Sequence, residues 1–189
     1  RFDMSEYQNL DDIPRLIEGL AQEVRKRPYT VLLLDEIEKS HVNILNLFLQ
    51  VLDEGILTDI NGLKVDFRHL IIIATSNEGS EFIRNNIKNV GSEIFDRELL
   101  DYLQKHALFR PEFLNRFDAI VTFKPLGVDE LKAIARLLLE DFAFRLKKEH
   151  FITFVINDEL TAYLAQKGFD PAYGARPMRR LMQDTIETL

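Results

Sequence analysis

Two apolar runs stand out from the mixed sequence before Pro125: Thr30–Leu34 (TVLLL) and Leu70–Ala74 (LIIIA). Both are of strand length and lack apolar–polar alternation, which predicts strands buried on both faces of a parallel sheet. Between them, Ile44, Leu45, Phe48, Val51 and Leu52 recur at helical spacing over Val42–Leu52. Ser40 is placed to cap the start of that helix and Gly55 to end it. Ala119–Phe123 reads as a weaker third strand. Leu20–Lys26 reads as a helix with Arg25, Lys26 and Arg27 at its C-terminal end, where cations oppose the negative end of the helix dipole. Strand–helix–strand order with long crossovers predicts α/β layers.

The pattern changes at Pro125. Leu131, Ile134, Ala135, Leu138, Phe142 and Leu146 form one long amphipathic stripe. A short β-prone piece follows at Ile152–Ile156, then a helix over Asp158–Gln166 closed by Gly168. Pro177–Leu189 reads as a further helix that runs to the last residue. The chain therefore divides into residues 1–125, an α/β unit, and residues 126–189, a small and mostly helical unit.

Charge and composition narrow the function classes. Of 189 residues, 31 are acidic and 24 basic, a formal net charge of −7. Duplex-binding domains carry a basic balance, so nucleic acid is not the expected partner. There are no cysteines, which excludes disulfides, thiolate zinc sites and cysteine nucleophiles and fits a reducing compartment. His41, His69, His106 and His150 are scattered, with no pair at metal-ligand spacing. Leu70–Ala74 is the longest fully apolar run, far short of a membrane span, and residues 1–20 have no signal-peptide core.

Four segments carry candidate chemistry. Val31–Glu36 (VLLLDE) places Asp35 and Glu36 at the carboxyl edge of the sheet, where open α/β sheets bind ligands. One carboxylate there suits hydrated Mg²⁺ and its neighbour suits polarising a water for attack on a phosphate; an acidic start to the following loop is the structural alternative. Thr75-Ser76-Asn77 closes the second strand, and an amide at that edge can orient a water or a phosphate oxygen, or simply form a turn. In Phe109–Asp118 (FRPEFLNRFD), Arg110 and Arg116 suit bidentate phosphate contact, or pairing with Glu112 and Asp118. Arg176, just before Pro177, sits at a helix N-terminal edge, where a cation is poorly placed for the dipole and suits an anion.

Taken in order, these segments resemble the nucleotide-binding module of Clp-type AAA+ unfoldases of the ClpB and ClpC kind. The matching stretches are RFDMSEY at 1–7, RPYTVLLLDEIEKSH at 27–41, LFLQVLDEGILTD at 47–59, VDFRHLIIIATSNEGS at 65–80, FRPEFLNRFD at 109–118 and GARPMRR at 174–180. The resemblance implies an AAA+ parallel sheet with flanking helices over residues 1–125, followed by a small helical lid over 126–189. It implies ATP and Mg²⁺ as ligands. Asp35 resembles the Walker B aspartate, holding Mg²⁺ through water, and Glu36 the glutamate that activates water. Asn77 matches the sensor asparagine, and Arg176 the second-sensor arginine. Arg116 matches the arginine finger that reaches the nucleotide of a neighbouring subunit, with Arg110 as the runner-up. It further implies a cytoplasmic homo-oligomeric ring, a hexamer in this family, acting on unfolded or aggregated polypeptides.

The sequence departs from the family's pattern in two places. No GxxxxGK[ST] loop occurs, so the phosphates lose their backbone cradle and lysine, and these 189 residues alone are expected to be inactive as an ATPase. At Arg15–Leu20 the longer glycine- and aromatic-containing pore loop of relatives is missing. The tripeptide that docks a protease ring is not evident in Glu78–His106, where Asn89-Val90-Gly91-Ser92 is a poor match, and this weighs against a protease partner. The end of the chain inside a helix points to a part of a larger protein. Two other function classes stand beside the unfoldase: a non-hydrolysing AAA+-like assembly or interaction module, and a clamp-loader-like protein, against which the acidic balance and DEIEKSH argue.

Overall fold

The computed structural model describes residues 1–86, 93–106, 109–170 and 174–187. Within it the chain forms two compact units, Arg1–Lys124 and Pro125–Leu189.

In the first unit, a three-stranded parallel sheet has the order β1 (Phe2–Asp3), β2 (Val31–Asp35), β5 (Ile71–Ala74). Strands β3 (Ile56–Thr58) and β4 (Lys64–Asp66) form a separate antiparallel hairpin. The helices are α1 (Ile13–Lys26), α2 (Val42–Glu54), α3 (Ser80–Asn85), α4 (Glu93–Lys105) and α5 (Pro111–Leu114). Leu16, Leu20, Ala21 and Val24 of α1 and Ile44, Phe48 and Val51 of α2 join Leu32 and Leu34 of β2 in one buried core. Those spacings are the helical and two-residue periods that bring one face of each element inward.

Several elements differ from the sequence expectation. Helix α1 begins at Ile13, seven residues before Leu20, and runs through Arg15–Leu20 without interruption. Pro14 suits its first turn, and the buried stripe begins at Leu16, so its packing starts about one turn before the expected start at Leu20. His41, and not Ser40, caps α2: its Nδ1 accepts the Asn43 N–H at 3.2 Å, while Gly55 closes the helix in the left-handed conformation at φ 67°. Among the described residues the sheet is covered on one face: Leu32 and Leu34 are buried, whereas Val31, Ile71 and Ile73 are exposed. An uninterrupted apolar run reports strand propensity but not how many faces find a partner. Ala119–Phe123 is not a strand; it faces Ala74, the last residue of β5, across a groove of about 330 Å³, and Phe123 is 85% exposed.

The hairpin is tied to the first helix by one carboxylate. Asp59 Oδ1 accepts the N–H groups of Asn61 (2.9 Å) and Leu63 (2.8 Å), closing the turn around Gly62, and Oδ2 pairs with Arg25 at 2.5 Å. The basic end of α1 thus serves structure, since Lys26 likewise pairs with Glu23 at 3.1 Å.

The second unit is built on α6 (Val128–His150), α7 (Asp158–Lys167) and α8 (Arg176–Met182), the last continuing into a π-helical turn over Gln183–Glu187. The predicted last helix thus starts one residue earlier and changes its winding; positions 188 and 189 lie outside the described residues. Leu131, Ala135, Leu139 and Phe142 of α6 pack with Leu164, Ala165, Met178 and Met182. Glu130 Oε2 accepts the Gly127 N–H at 3.0 Å at the start of α6, and Asn157 Oδ1 accepts the Leu160 N–H at 2.8 Å at the start of α7. Ile152–Ile156 is not a strand; among the described residues it has no ladder partner. Among the described residues no helix is long and apolar enough to cross a membrane.

Two predictions follow from this packing. The Arg25 guanidinium, with the Leu63 and Asn61 amides, holds the Asp59 carboxyl below its ordinary value of 3.8. A depressed folded pKa stabilises the fold above the unfolded value, and that stability is lost as pH falls through the folded one. The difference in urea midpoint between the parent and Asp59→Asn is therefore constant from neutral pH down to about 5 and shrinks below about 4. At Gly168, a Cβ would stand 2.4 Å from Met178 Cγ and 2.7 Å from the Leu164 carbonyl oxygen. Gly168→Ala is expected to destabilise the second unit by about 1–3 kcal/mol in thermal unfolding.

Candidate active site at the carboxyl edge of the sheet

The pairing of β2 with β5 sets the site. Val31 lies opposite Ile71 and the ladder runs in parallel to Leu34 opposite Ala74. Asp35 and Glu36 therefore leave one strand beside Thr75-Ser76-Asn77 leaving the other, at the carboxyl edge where parallel sheets present their ligand sites.

Beyond the ladder the two strand ends stay joined. The Thr75 N–H donates to the Leu34 carbonyl (2.9 Å), and the Thr75 carbonyl accepts the Ile37 N–H (3.0 Å). The Thr75 hydroxyl donates to Asp35 Oδ1 and accepts the Glu36 N–H at 3.2 Å. Glu38 Oε1 accepts the Asn77 N–H at 3.2 Å, while Glu38 Oε2 is buried without a hydrogen-bond partner among the described residues. Asp35 Oδ2 pairs with the Arg1 guanidinium.

Glu36 itself has φ 54° and ψ 51°, the left-handed region. For a residue with a Cβ this costs about 1–2 kcal/mol. Such outliers persist where surrounding bonds over-determine them, and they cluster at functional sites. Directly after it, Ile37 is 2% exposed, so the left-handed residue turns the chain from the sheet edge back into the core.

Asp35, Glu36 and Asn77 thus share one edge. Arg116 and Arg110 are held elsewhere in the same unit. Arg116 follows the short helix α5, and its Nε lies 2.6 Å from Asp53 Oδ1. Arg110 Nη1 donates to Asn46 Oδ1 at 3.4 Å. Asn46 and Asp53 are two helical turns apart on α2, so one face of that helix receives both arginines. These partners replace Glu112 and Asp118, which sequence proximity had suggested. Arg176 belongs to the second unit, where it is the exposed first residue of α8. Asn89-Val90-Gly91-Ser92 lies outside the described residues.

Sequence reasoning gave no role to Thr75, Glu38 or Asp53. Thr75 carries a signal only once the register is known, because it becomes the neighbour of Asp35 through strand pairing. Asp53 reads as an ordinary exposed acid near a helix end. Among the described residues no group of three or more histidines and carboxylates is assembled into a metal cage.

The comparisons with known proteins agree with this architecture. The family described as "AAA domain (Cdc48 subfamily)" matches residues 1–120, and the family described as "C-terminal, D2-small domain, of ClpB protein" matches residues 126–189. A "Chaperone protein ClpB" of Meiothermus ruber is 46% identical over 201 aligned residues, covering 100% of this chain and 23% of the relative. The protein of that name from Vibrio vulnificus (strain CMCP6) is 43% identical, covering 99% of this chain and 23% of the relative. That from Staphylococcus aureus (strain COL) is 42% identical, covering 100% and 23%. The chain spans about a quarter of the length of these curated relatives. With a parallel-sheet unit of the AAA type followed by a helical unit of the ClpB small-domain type, the chain belongs to the Clp-type AAA+ family.

Proposed function

We propose that this chain is part of the ATP-hydrolysing module of a longer Clp-type protein that unfolds or disaggregates polypeptides as a cytoplasmic ring, a hexamer by family resemblance. The observation that carries the reading is the pair Asp35 and Glu36 at the carboxyl edge, with Glu36 in a left-handed conformation held by its neighbours. The relatives' names call them chaperones, and the net charge of −7 suits neither DNA nor an anionic membrane as the partner.

Each residue has a distinct task. Glu36 takes the proton of the attacking water, and Asn77 orients that water or a phosphate oxygen. Asp35 suits a hydrated Mg²⁺: it offers carboxylate oxygens at an open edge, and Mg²⁺ keeps several waters and takes few protein ligands. With Thr75 on Oδ1 and Arg1 on Oδ2, contact through water disturbs the carboxylate least. When bound, the ion neutralises charge on the phosphate oxygens. Arg176 of the small unit contacts the nucleotide as the second-sensor arginine.

Arg116 acts on the nucleotide of the neighbouring subunit. Its pair with Asp53 is half exposed, with side-chain accessibilities of 47% and 41%. A pair of that exposure is worth about 0–1 kcal/mol. An arginine finger contributes about 10³–10⁵-fold in rate, roughly 4–7 kcal/mol. The stronger interaction wins, so Asp53 parks Arg116 without withholding it. The 189 residues contain no GxxxxGK[ST] and by themselves turn over no ATP.

In the full-length protein, Glu36→Gln is expected to bind ATP as the parent does and to lose turnover; hydrolysis near the parental rate would reject Glu36 as the group that activates water. Arg116→Ala is expected to impair hydrolysis in assembled rings. In mixed rings of parent and variant, each Arg116→Ala subunit should silence its neighbour's site, and a defect confined to the variant's own site would reject the trans role.

A further inference from the structure

We propose that Thr75 is a positioning residue of this site: its hydroxyl clamps the Asp35 carboxylate to the backbone of Glu36 and so keeps Glu36 in its left-handed conformation. The inference rests on the reading of Glu36 as the group that activates water.

A hydroxyl has one proton to donate and two lone pairs to accept with. At Thr75 the proton goes to Asp35 Oδ1 and one lone pair takes the Glu36 N–H at 3.2 Å. The main chain of the same residue binds Leu34 and Ile37 at 2.9 and 3.0 Å. Thr75 therefore engages each of the residues 34 to 37 in turn. The β2–β5 ladder stops at Leu34 opposite Ala74, and past that point the hydroxyl supplies the acceptor that a ladder carbonyl would otherwise offer to Glu36. A left-handed glutamate does not hold itself in place: the Lys39 N–H binds its carbonyl at 2.9 Å, and the one bond of its own N–H goes to the Thr75 side chain.

Thr75 is also exposed, so water can satisfy the severed groups if the hydroxyl is lost. The fold then loses little, while Asp35 loses the bond to Oδ1 and Glu36 the acceptor of its N–H. A residue that serves only the fold would show the reverse.

The test compares Thr75→Val, which keeps the shape and removes the hydroxyl, with Thr75→Ser, which keeps the hydroxyl, in the full-length protein. Thr75→Val is expected to lower kcat for ATP about tenfold or more and to leave KM within about twofold. It should also leave the unfolding midpoint near the parent's and speed amide exchange at Glu36. Thr75→Ser should restore kcat and amide protection. Parental kcat and parental protection at Glu36 in Thr75→Val, beside an inactive Glu36→Gln, would overturn the clamp alone. Turnover in Glu36→Gln would instead overturn the water-activation reading on which the clamp rests. Should Thr75→Val not fold, Thr75→Ala against Thr75→Ser makes the same comparison, and equal turnover in that pair rejects the proposal.

Discussion

The register between β2 and β5 governs the first unit. Leu32 and Leu34 point into the core formed with α1 and α2, and a slip of one residue would exchange them for Leu33 and Asp35. Burying a carboxylate in that apolar environment is costly, and exposing two leucines adds to the cost. The core therefore fixes the register, and the register sets which side chains meet at the carboxyl edge. The site inherits its geometry from hydrophobic burial beneath it, before any hydrogen bond between Thr75, Asp35 and Glu36 refines it.

A comparable dependence runs through the second unit. Arg176 stands two residues before Met178, which is fully buried against the end of α7. Because Gly168 has no Cβ, the backbone of α8 can approach α7 there at close range. The start of α8, and with it the place of Arg176, is thus set by an apolar contact and a missing methyl group.

Much of this was readable from the chain. The apolar runs VLLL and IIIA, the helix over Val42–Leu52 and its glycine stop, and the long stripe from Leu131 to Phe142 all report local periodicity, and periodicity survives folding. What depended on partners was not readable. Apolar residues at 119–123 look like a strand, but among the described residues they pair with none. The β3–β4 hairpin carried a signal that went unused, an Asn61-Gly62 dipeptide between two short strands. Asp35, Glu36 and Asn77 were legible as neighbours because strand ends converge in any parallel sheet. The pairing of Arg116 with Asp53 was not, because it joins residues on separate helices that no spacing rule relates.

The left-handed backbone at position 36 has an evolutionary and engineering consequence. Judged by conformation alone, glycine or asparagine would suit that position better than glutamate. Random drift screened only for folding, or a redesign scored only on thermostability, would therefore tend to remove the carboxylate and be rewarded for it. Position 36 is a point where robustness and competence select opposite residues, so a stabilised variant of this chain calls for inspection there before its melting temperature is taken as an improvement.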